Sequence, residues 1–134
     1  MGSAGSPGTN ILYSNAFGES WTASQVASGS SPVITLNACV WNTVSQRWIT
    51  AGTRNGGVGA NSACIYISTD VSGIATPWTP VTGTGAILSQ VYSLAYNGNV
   101  WIAAGVPASE NGSTSTLIRT ADPTGTTGWH GIAA

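Results

Sequence analysis

The 134-residue chain contains no lysine, only three arginines and only four acidic residues. Charged residues make up 5% of the sequence, so its polarity comes from Ser, Thr, Asn and Gly. The formal net charge of −1 argues against a nucleic-acid partner, because such proteins neutralise phosphates with clustered Lys and Arg. Sparse charge indicates either a surface that is largely buried in contacts or in a large assembly, or a surface solvated by Ser, Thr and Asn, as in many secreted and virion β-proteins. Composition leaves both readings open.

Long apolar runs are also missing. No stretch approaches the ~18 apolar residues of a membrane span, so we expect no membrane insertion. No charged segment followed by an apolar one marks a secretory signal. The single histidine, His130, leaves too few ligands for a metal site, and we expect no metal and no cofactor.

Cysteine is scarce as well, with only Cys39 and Cys64. They fall on the first and third strands of one predicted unit, and strands two apart are separated by about 9–10 Å. That distance exceeds the reach of a disulfide. We therefore predict two small buried thiols. A bridge to another chain, or one formed through a shifted register, is the alternative.

What the chain does contain is an internal repeat. Residues 41–52 place an aromatic residue and Asn before a polar turn and Trp-Ile-x-Ala-Gly after it, and residues 96–105 repeat the pattern. Each hairpin is followed by a Gly-rich loop, an apolar segment and a Trp. A third copy of this second half lies at 10–22. Self-similarity at a period of about 50 residues is typical of blades or stacked repeats.

Each full unit is predicted to hold four short strands, because its segments are rich in Val, Ile, Thr, Tyr and Trp between turn residues. No window shows a capped helical stripe. The predicted fold is all-β, with antiparallel four-stranded blade-like repeats in a partial β-propeller or stacked sheets. The strands are expected near 36–42, 47–52, 63–68 and 78–81, then near 90–96, 100–105, 116–119 and 129–133, with 11–14 and 21–26 in a preceding half unit.

At this length we expect one domain. Residues 1–10 form a Gly/Ser/Pro arm, which we predict to be flexible because it has little to bury. The alternative is an arm that covers a neighbouring subunit. Residues 11–134 form a single β-repeat domain, made of a half unit at 11–32 and full units at 33–84 and 85–134.

The pattern Ile-x-Tyr-Ser-x-x-x-Gly-x-x-Trp-Thr at 11–22 resembles the Asp-box, or bacterial neuraminidase repeat, of sialidase-like β-propellers. The resemblance implies a turn between the third and fourth strands of a blade. In it, Asp and Ser side chains bond the turn backbone, Gly supplies a positive φ, and Trp packs on the blade. The first copy has Ala16 where Asp belongs, and the later copies carry insertions. The matching positions are Ser14, Gly18 and Trp21, then Ser68, Asp70 and Trp78, then Thr120, Asp122 and Trp129.

Tryptophans recur at equivalent repeat positions. Recurrence within one sequence is what a packing role produces, so we predict structural roles for all of them. Stacking on sugar rings, as in a lectin, is the alternative. The recurring residues are Trp21, Trp78 and Trp129 in one set and Trp48 and Trp101 in the other.

The loops at 53–61 and 106–115 join second to third strands and should lie on one rim. Binding residues concentrate in loops on a rigid scaffold. Arg54, Asn55 and Asn111 are therefore the candidates for ligand binding, with a plain solvated turn as the alternative.

No catalytic role is predicted. A sialidase needs clustered arginines with a Tyr nucleophile and acidic partners, but the three arginines occupy different repeat positions. Asp70 and Asp122 match the turn motif, which leaves few carboxylates for a glycosidase pair. His130 has no accompanying nucleophile elbow.

Two and a half units cannot close a propeller, which usually has at least four blades. We therefore expect a non-enzymatic structural or adhesive protein that forms a homo-oligomer or docks into a larger assembly. Examples are a virion, capsid-decorating, fibre or cell-surface component, on a virion or extracellular surface. The alternative is a glycan-binding lectin module, and a fragment of a sialidase-like glycosidase is the least favoured reading.

Overall fold

A computed structural model of the chain describes residues 11–14, 20, 22–24, 35–55, 62–70 and 78–132. This part of the chain is all-β, as predicted, and consists mostly of antiparallel sheet curled into a half-barrel. The predicted arm, residues 1–10, lies outside the described residues, and so do Gly18 and Trp21.

The first full unit is an antiparallel meander in which each strand pairs with the next along the chain. Its segments are rich in β-branched and aromatic residues, which suit a pleated sheet. The strands are β3 (Leu36–Asn42), β4 (Arg47–Asn55), β5 (Ala63–Ile67) and β6 (Thr79–Pro80). Upstream, β1 (Ile11–Tyr13) and β2 (Thr22–Ser24) form a separate antiparallel pair.

The second full unit repeats this meander. Its first strand also pairs with the end of β4, through Thr53 and Gln90, which joins both units into one eight-stranded sheet. A helical turn, α1 (Thr84–Ile87), connects the units, and a 3₁₀ turn (Ser109–Asn111) follows the second strand. The strands are β7 (Leu88–Tyr96), β8 (Trp101–Pro107), β9 (Leu117–Thr120) and β10 (His130–Gly131).

The pairing registers of the units coincide position by position. Trp41 pairs with Trp48 as Tyr96 pairs with Trp101, and a bulge interrupts the first strand at the same place in both units. The repeat seen in the sequence is thus a repeat of structure. The third and fourth strands pair alike in all three copies, through Tyr13–Thr22, Ile67–Thr79 and Arg119–His130.

The glycine that ends each Trp-Ile-x-Ala-Gly segment is required by a close approach of the backbone. A Cβ atom at Gly52 would overlap the carbonyl oxygen of Thr35, and one at Gly105 would overlap that of Gln90. Each glycine lies beside the bulged start of its unit's first strand. Only a residue without a side chain allows the two backbones to pass at this point.

The main core lies between the two units. Strand alternation points Ile49 and Ala51 to one face of the first unit, and Trp101 and Ala103 to the facing side of the second. All four are fully buried. A smaller cluster occupies the opposite face of the first unit, with Leu36, Ala63, Tyr66 and Trp78 buried and Trp48 packed against them.

The boundaries differ from the prediction in a few places. The two helical turns were not predicted, because three or four residues are too few to show a helical period. β4 continues to Asn55 and β8 to Pro107, so both loops begin later than expected. Thr53 stays in the sheet because its N–H donates to the Thr35 carbonyl oxygen (2.8 Å).

The prediction of two buried thiols holds for one cysteine only. Cys64 is buried on β5, and burial raises the pKa of its thiol to about 12. Cys39 is exposed, so the prediction is wrong there. Its strand, β3, presents alternate residues to a face that is only partly covered. Both cysteines are free thiols.

Candidate functional site, an exposed sheet face

The candidate site is the sheet face of the second unit that points away from the first, here called the outer face. Tyr92 is 57% exposed, Ile102 41% and Leu117 39%. The strand pairings place Ile102 beside Ala95 and Arg119, and Ala104 beside Leu117. The outer face is therefore defined by Tyr92, Ala95, Ile102, Ala104, Leu117 and Arg119.

The two large aliphatic residues of the outer face, Ile102 and Leu117, have counterparts in the first unit that are completely covered. Ile49 holds the position of Ile102, and Ile65 that of Leu117, by repeat and by register. Both counterparts are 0% exposed and lie in the core cluster with Trp101 and other residues of the second unit. These two pairs of equivalent positions therefore differ in whether a further unit lies against them.

A polar position shows the same difference. In both units, Oδ1 of an Asn before the hairpin turn accepts hydrogen bonds from two backbone N–H groups. In the first unit this residue is Asn42, and the donors are the N–H groups of Val44 and Ser45. Asn42 also donates through Nδ2 to the carbonyl oxygens of Pro123 (3.0 Å) and Thr124 (3.1 Å) in the second unit. Its counterpart Asn97 is exposed, and within the described residues its Nδ2 makes no hydrogen bond.

The bulge in the first strand adds another such position. Asn37, at the bulge of β3, donates through Nδ2 to the carbonyl oxygen of Val91 in the second unit, at 2.7 Å. Tyr92 holds the same place in β7 and is the most exposed of the large apolar side chains described. The bulge residue of the first unit thus reaches across to the next unit, whereas that of the second points into open space.

One pair of positions breaks the equivalence. Ile67 and Thr79 pair across β5 and β6, while Arg119 and His130 pair across β9 and β10. Ile67 is buried, but Arg119 and His130 are exposed, and Arg119 Nε donates to His130 Nε2 at 3.2 Å. The outer face therefore has an aliphatic centre and a cationic margin.

The first unit has a partly open face of its own, on its side away from the second unit. We call it the aromatic face; its members are Leu36, Cys39, Trp41, Trp48, Tyr66 and Trp78. Trp78 and Tyr66 are buried, but Trp41 is 36% exposed and meets Trp48 edge-on at 5.2 Å. The equivalent rings of the second unit, Tyr96 and Trp101, stack at 4.4 Å, and Trp101 is fully buried in the core between the units.

The turn after β9 covers part of the first unit, and Asp122 organises it. Its carboxylate accepts hydrogen bonds from the backbone N–H and hydroxyl groups of Thr124, Thr126 and Thr127. Burial pushes the pKa of Asp122 upward, but these donors together outweigh it and hold the pKa well below its usual range. Gly125 has φ +71°, and a Cβ there would lie 2.9 Å from Cδ1 of Ile49. Asp122 thus bonds the backbone of its own turn at three residues.

The other turn positions identified from the sequence lie as follows. Ser68 Oγ donates to the carbonyl oxygen of Asp70 (2.7 Å) and accepts the N–H of Trp48 (2.9 Å). Thr120 is buried, and its hydroxyl donates to the Thr127 carbonyl oxygen (2.6 Å). Trp129 packs against the core and donates to the Gly125 carbonyl oxygen (2.9 Å). Ser14 is half-buried.

The ligand candidates of the rim join parts of the chain to one another. Arg54 forms an ion pair with Glu110 and donates to the carbonyl oxygen of Gly85 at 3.2 Å. Asn111 Nδ2 donates to the carbonyl oxygen of Ala86 at 3.4 Å. The pKa of the Glu110 carboxyl is lowered by a hydrogen bond with the backbone of Glu110 itself, and further by the Arg54 guanidinium. The rim thus links the two units, and the side chain of Asn55 lies outside the described residues.

The three arginines occupy separate places. Arg47 and Arg54 lie at opposite ends of β4, about 24 Å apart at ~3.4 Å per residue, and Arg119 is on the outer face. They cannot meet at one substrate carboxylate. In the described ranges, no group of three or more His, Cys, Asp or Glu is placed to hold a metal ion. No helix among the described residues has the length and apolar character needed to cross a membrane.

Sequence reasoning did not single out the outer face. Ile102 belongs to the repeated Trp-Ile-x-Ala-Gly pattern and therefore reads as core, like Ile49. A signal was nevertheless present, because Arg119 stands where the first unit has Ile67. An arginine replacing an isoleucine at an equivalent repeat position indicates that the second unit is covered differently.

A scan against protein-family models and searches of curated proteins and solved structures found no match to this chain. The resemblance to Asp-box repeats therefore stays a prediction from the sequence, and the role of the chain has to be argued from its own geometry.

Proposed function

We propose that this chain is a non-enzymatic structural or adhesive β-repeat subunit that assembles into an oligomer or a larger particle. A virion, capsid-decorating, fibre or cell-surface component fits this role. The observation that carries the proposal is the outer face. Its large aliphatic residues, Ile102 and Leu117, stay exposed in the single chain, although the equivalent Ile49 and Ile65 of the first unit are completely buried.

Scattered exposed apolar residues are ordinary on soluble proteins. Ile102 and Leu117 are not scattered, because they lie on adjacent strands of one face, with Ala95 and Ala104 beside them. A contiguous apolar patch rimmed by polar groups is typical of an interaction site. The low charge of the chain supports this reading, since few charged side chains would need to lose water on docking.

The proposal assigns no catalytic step to the chain. The resemblance to Asp-box repeats supports the architecture more than any activity, because such turns occur on scaffolds with many roles. The glycan-binding alternative is less supported, because Arg54 and Asn111, its best candidates, donate their hydrogen bonds within the chain. A glycan array probed with the folded protein tests that alternative directly.

The experiment for the proposed function is the mass of the protein in solution. Sedimentation velocity and light scattering, from micromolar to millimolar concentration, should show a species larger than the monomer whose share grows with concentration. The same measurement on a chain without residues 1–10 shows whether the arm contributes. A monomer at every concentration would contradict self-assembly as the role of the chain.

A further inference from the structure

The contact between the two units inside the chain shows what the outer face is built to hold. In that contact, the isoleucine side of one unit lies against the aromatic side of the next, and Ile49 and Ile65 share one buried cluster with Trp101. The outer face presents the same positions, Ile102 and Leu117, with no further unit against them. Its natural complement is therefore the aromatic side of another unit of this kind.

Such a complement is available on a second copy of the chain. Within the aromatic face, Trp41 is 36% exposed, Cys39 is exposed and Trp48 is half-buried. Trp41 and Trp48 hold the repeat positions of Tyr96 and Trp101, the rings that the first unit covers within the chain. Each copy thus carries both halves of the contact in incomplete form, the outer face on the second unit and the aromatic face on the first.

We propose that the outer face is a docking surface for a second copy of this chain. This inference rests on the proposed function, assembly into an oligomer or a larger particle. The second copy packs the exposed part of its aromatic face, Cys39, Trp41 and Trp48, against the outer face. The two surfaces meet in the same way as the aromatic side of the second unit meets the isoleucine side of the first within one chain. The contact is head-to-tail, because two different surfaces meet. Head-to-tail contacts close into a ring or continue as a filament. Propellers usually close with at least four units, so a ring needs two copies or more.

Polar groups at the edge of the outer face support this arrangement. Asn42 Nδ2 donates to backbone carbonyl oxygens of the following unit, and the free Nδ2 of Asn97 is placed to do the same toward a second copy. Asn37 reaches the Val91 carbonyl oxygen of the next unit, and Tyr92 occupies that place on the outer face. Two places depart from the internal contact: Tyr92 stands where the first unit has Asn37, and Arg119 and His130 stand where it has Ile67 and Thr79.

The first test places a charge in the outer face. Ile102→Asp should raise the dissociation constant of the assembly at least about 30-fold, as expected for a central interface contact. Val44→Asp is the matched control, because Val44 is 54% exposed but lies in the turn between β3 and β4. It should leave the mass unchanged. Circular dichroism and thermal unfolding establish that each variant is folded.

The second test identifies the partner surface by mixing. Ile102→Asp retains an intact aromatic face, and Trp41→Glu retains an intact outer face. Each variant alone should stay monomeric, and an equimolar mixture should form a dimer with one intact contact. Cys39→Glu provides the same block in place of Trp41→Glu, in case loss of the ring disturbs folding.

The native thiol provides an independent readout. Labelling of Cys39 by a maleimide should slow as the protein concentration rises, because docking covers that position. Cys64 is buried and does not compete for the reagent.

The outcomes separate this inference from the proposed function. An assembly that survives Ile102→Asp, or whose Cys39 labelling ignores concentration, overturns the docking surface but leaves assembly as a role. Folded variants that fail to combine on mixing overturn the head-to-tail arrangement and indicate contact between like faces. A wild-type monomer at all concentrations overturns both. Restoration of a dimer only in the mixture supports the inference.

Discussion

The two full units of this chain share strand order, register and bulge, yet their isoleucine sides have different surroundings. In the first unit, Ile49 is 0% exposed because the second unit lies against it. In the second, Ile102 is 41% exposed at the same repeat position. The comparison separates what a repeat specifies by itself from what its neighbour provides. Strand pairing is local to a unit, whereas burial depends on the next unit along.

Substitution of the tryptophan between the units should have the largest effect. Trp101 is fully buried and donates through Nε1 to the Pro123 carbonyl oxygen at 3.1 Å. Trp101→Ala should lower the free energy of unfolding by about 3–5 kcal/mol, because it leaves a cavity in the shared core. The partly exposed Trp41 should cost about 1 kcal/mol or less when truncated. Urea denaturation of dilute protein measures both, and equal losses would show that the units do not share one core.

The isoleucine pair tests the comparison directly. Ile49→Ala should cost about 2–5 kcal/mol, the usual range for a buried aliphatic side chain, and Ile102→Ala less than about 1. Dilute protein is required, so that association adds nothing to the stability of the second variant. If Ile102→Ala costs as much as Ile49→Ala in the dilute monomer, the outer face is covered by the chain itself and the comparison fails.

The asparagine pair isolates a polar contribution. Asn42→Ala and Asn97→Ala both remove an acceptor for two turn N–H groups. Only Asn42→Ala also removes two donations across the unit boundary. We expect Asn42→Ala to be the more destabilising by about 1–2 kcal/mol, since a typical internal hydrogen bond contributes roughly 0.5–1.5 kcal/mol. Thermal unfolding of the two variants side by side gives the difference. Matching losses would mean that the cross-unit bonds contribute nothing.

Much of this architecture could be predicted from the sequence, because it depends on local signals. The repeat of Trp-Ile-x-Ala-Gly, bounded by Asn and Gly turns, indicates paired strands, and the observed β3 and β7 fall within two residues of their predicted bounds. The glycine of that motif has a clear physical reason, in that any Cβ at Gly52 would overlap the Thr35 carbonyl oxygen.

The candidate site could not be predicted in this way. Ile102 and Ile49 belong to identical local patterns, so no periodicity distinguishes an exposed isoleucine from a buried one. The position of Arg54 in a loop indicates ligand binding, because loops on a rigid scaffold often carry binding residues, but its side chain forms an ion pair with Glu110 across the rim. The sequence separation of Arg54 and Glu110 does not indicate that their side chains form a contact. The exposure of Cys39 could not be predicted for a related reason. The exposure of a strand residue depends on what covers that face of the sheet, which the sequence of the strand does not show.

The turn that covers Ile49 should give the smallest and most selective effect. Asp122 accepts hydrogen bonds from three threonines in that turn, and its pKa is held below the usual range. A carboxyl with a depressed pKa in the folded state adds stability at any pH above its unfolded pKa of about 3.9. That contribution declines as the pH falls through the folded pKa. Asp122→Asn removes the charge while keeping the shape.

Asp122→Asn should therefore lower Tm by a few degrees at neutral pH, and by progressively less as the pH falls below about 3.9 toward the depressed pKa of the folded carboxyl. Thermal unfolding from pH 7 to strongly acid solution measures the gap between variant and wild type. A gap of constant size across the pH range would show that the charge of Asp122 is not what stabilises the turn. Its role would then be limited to the geometry that an amide can reproduce.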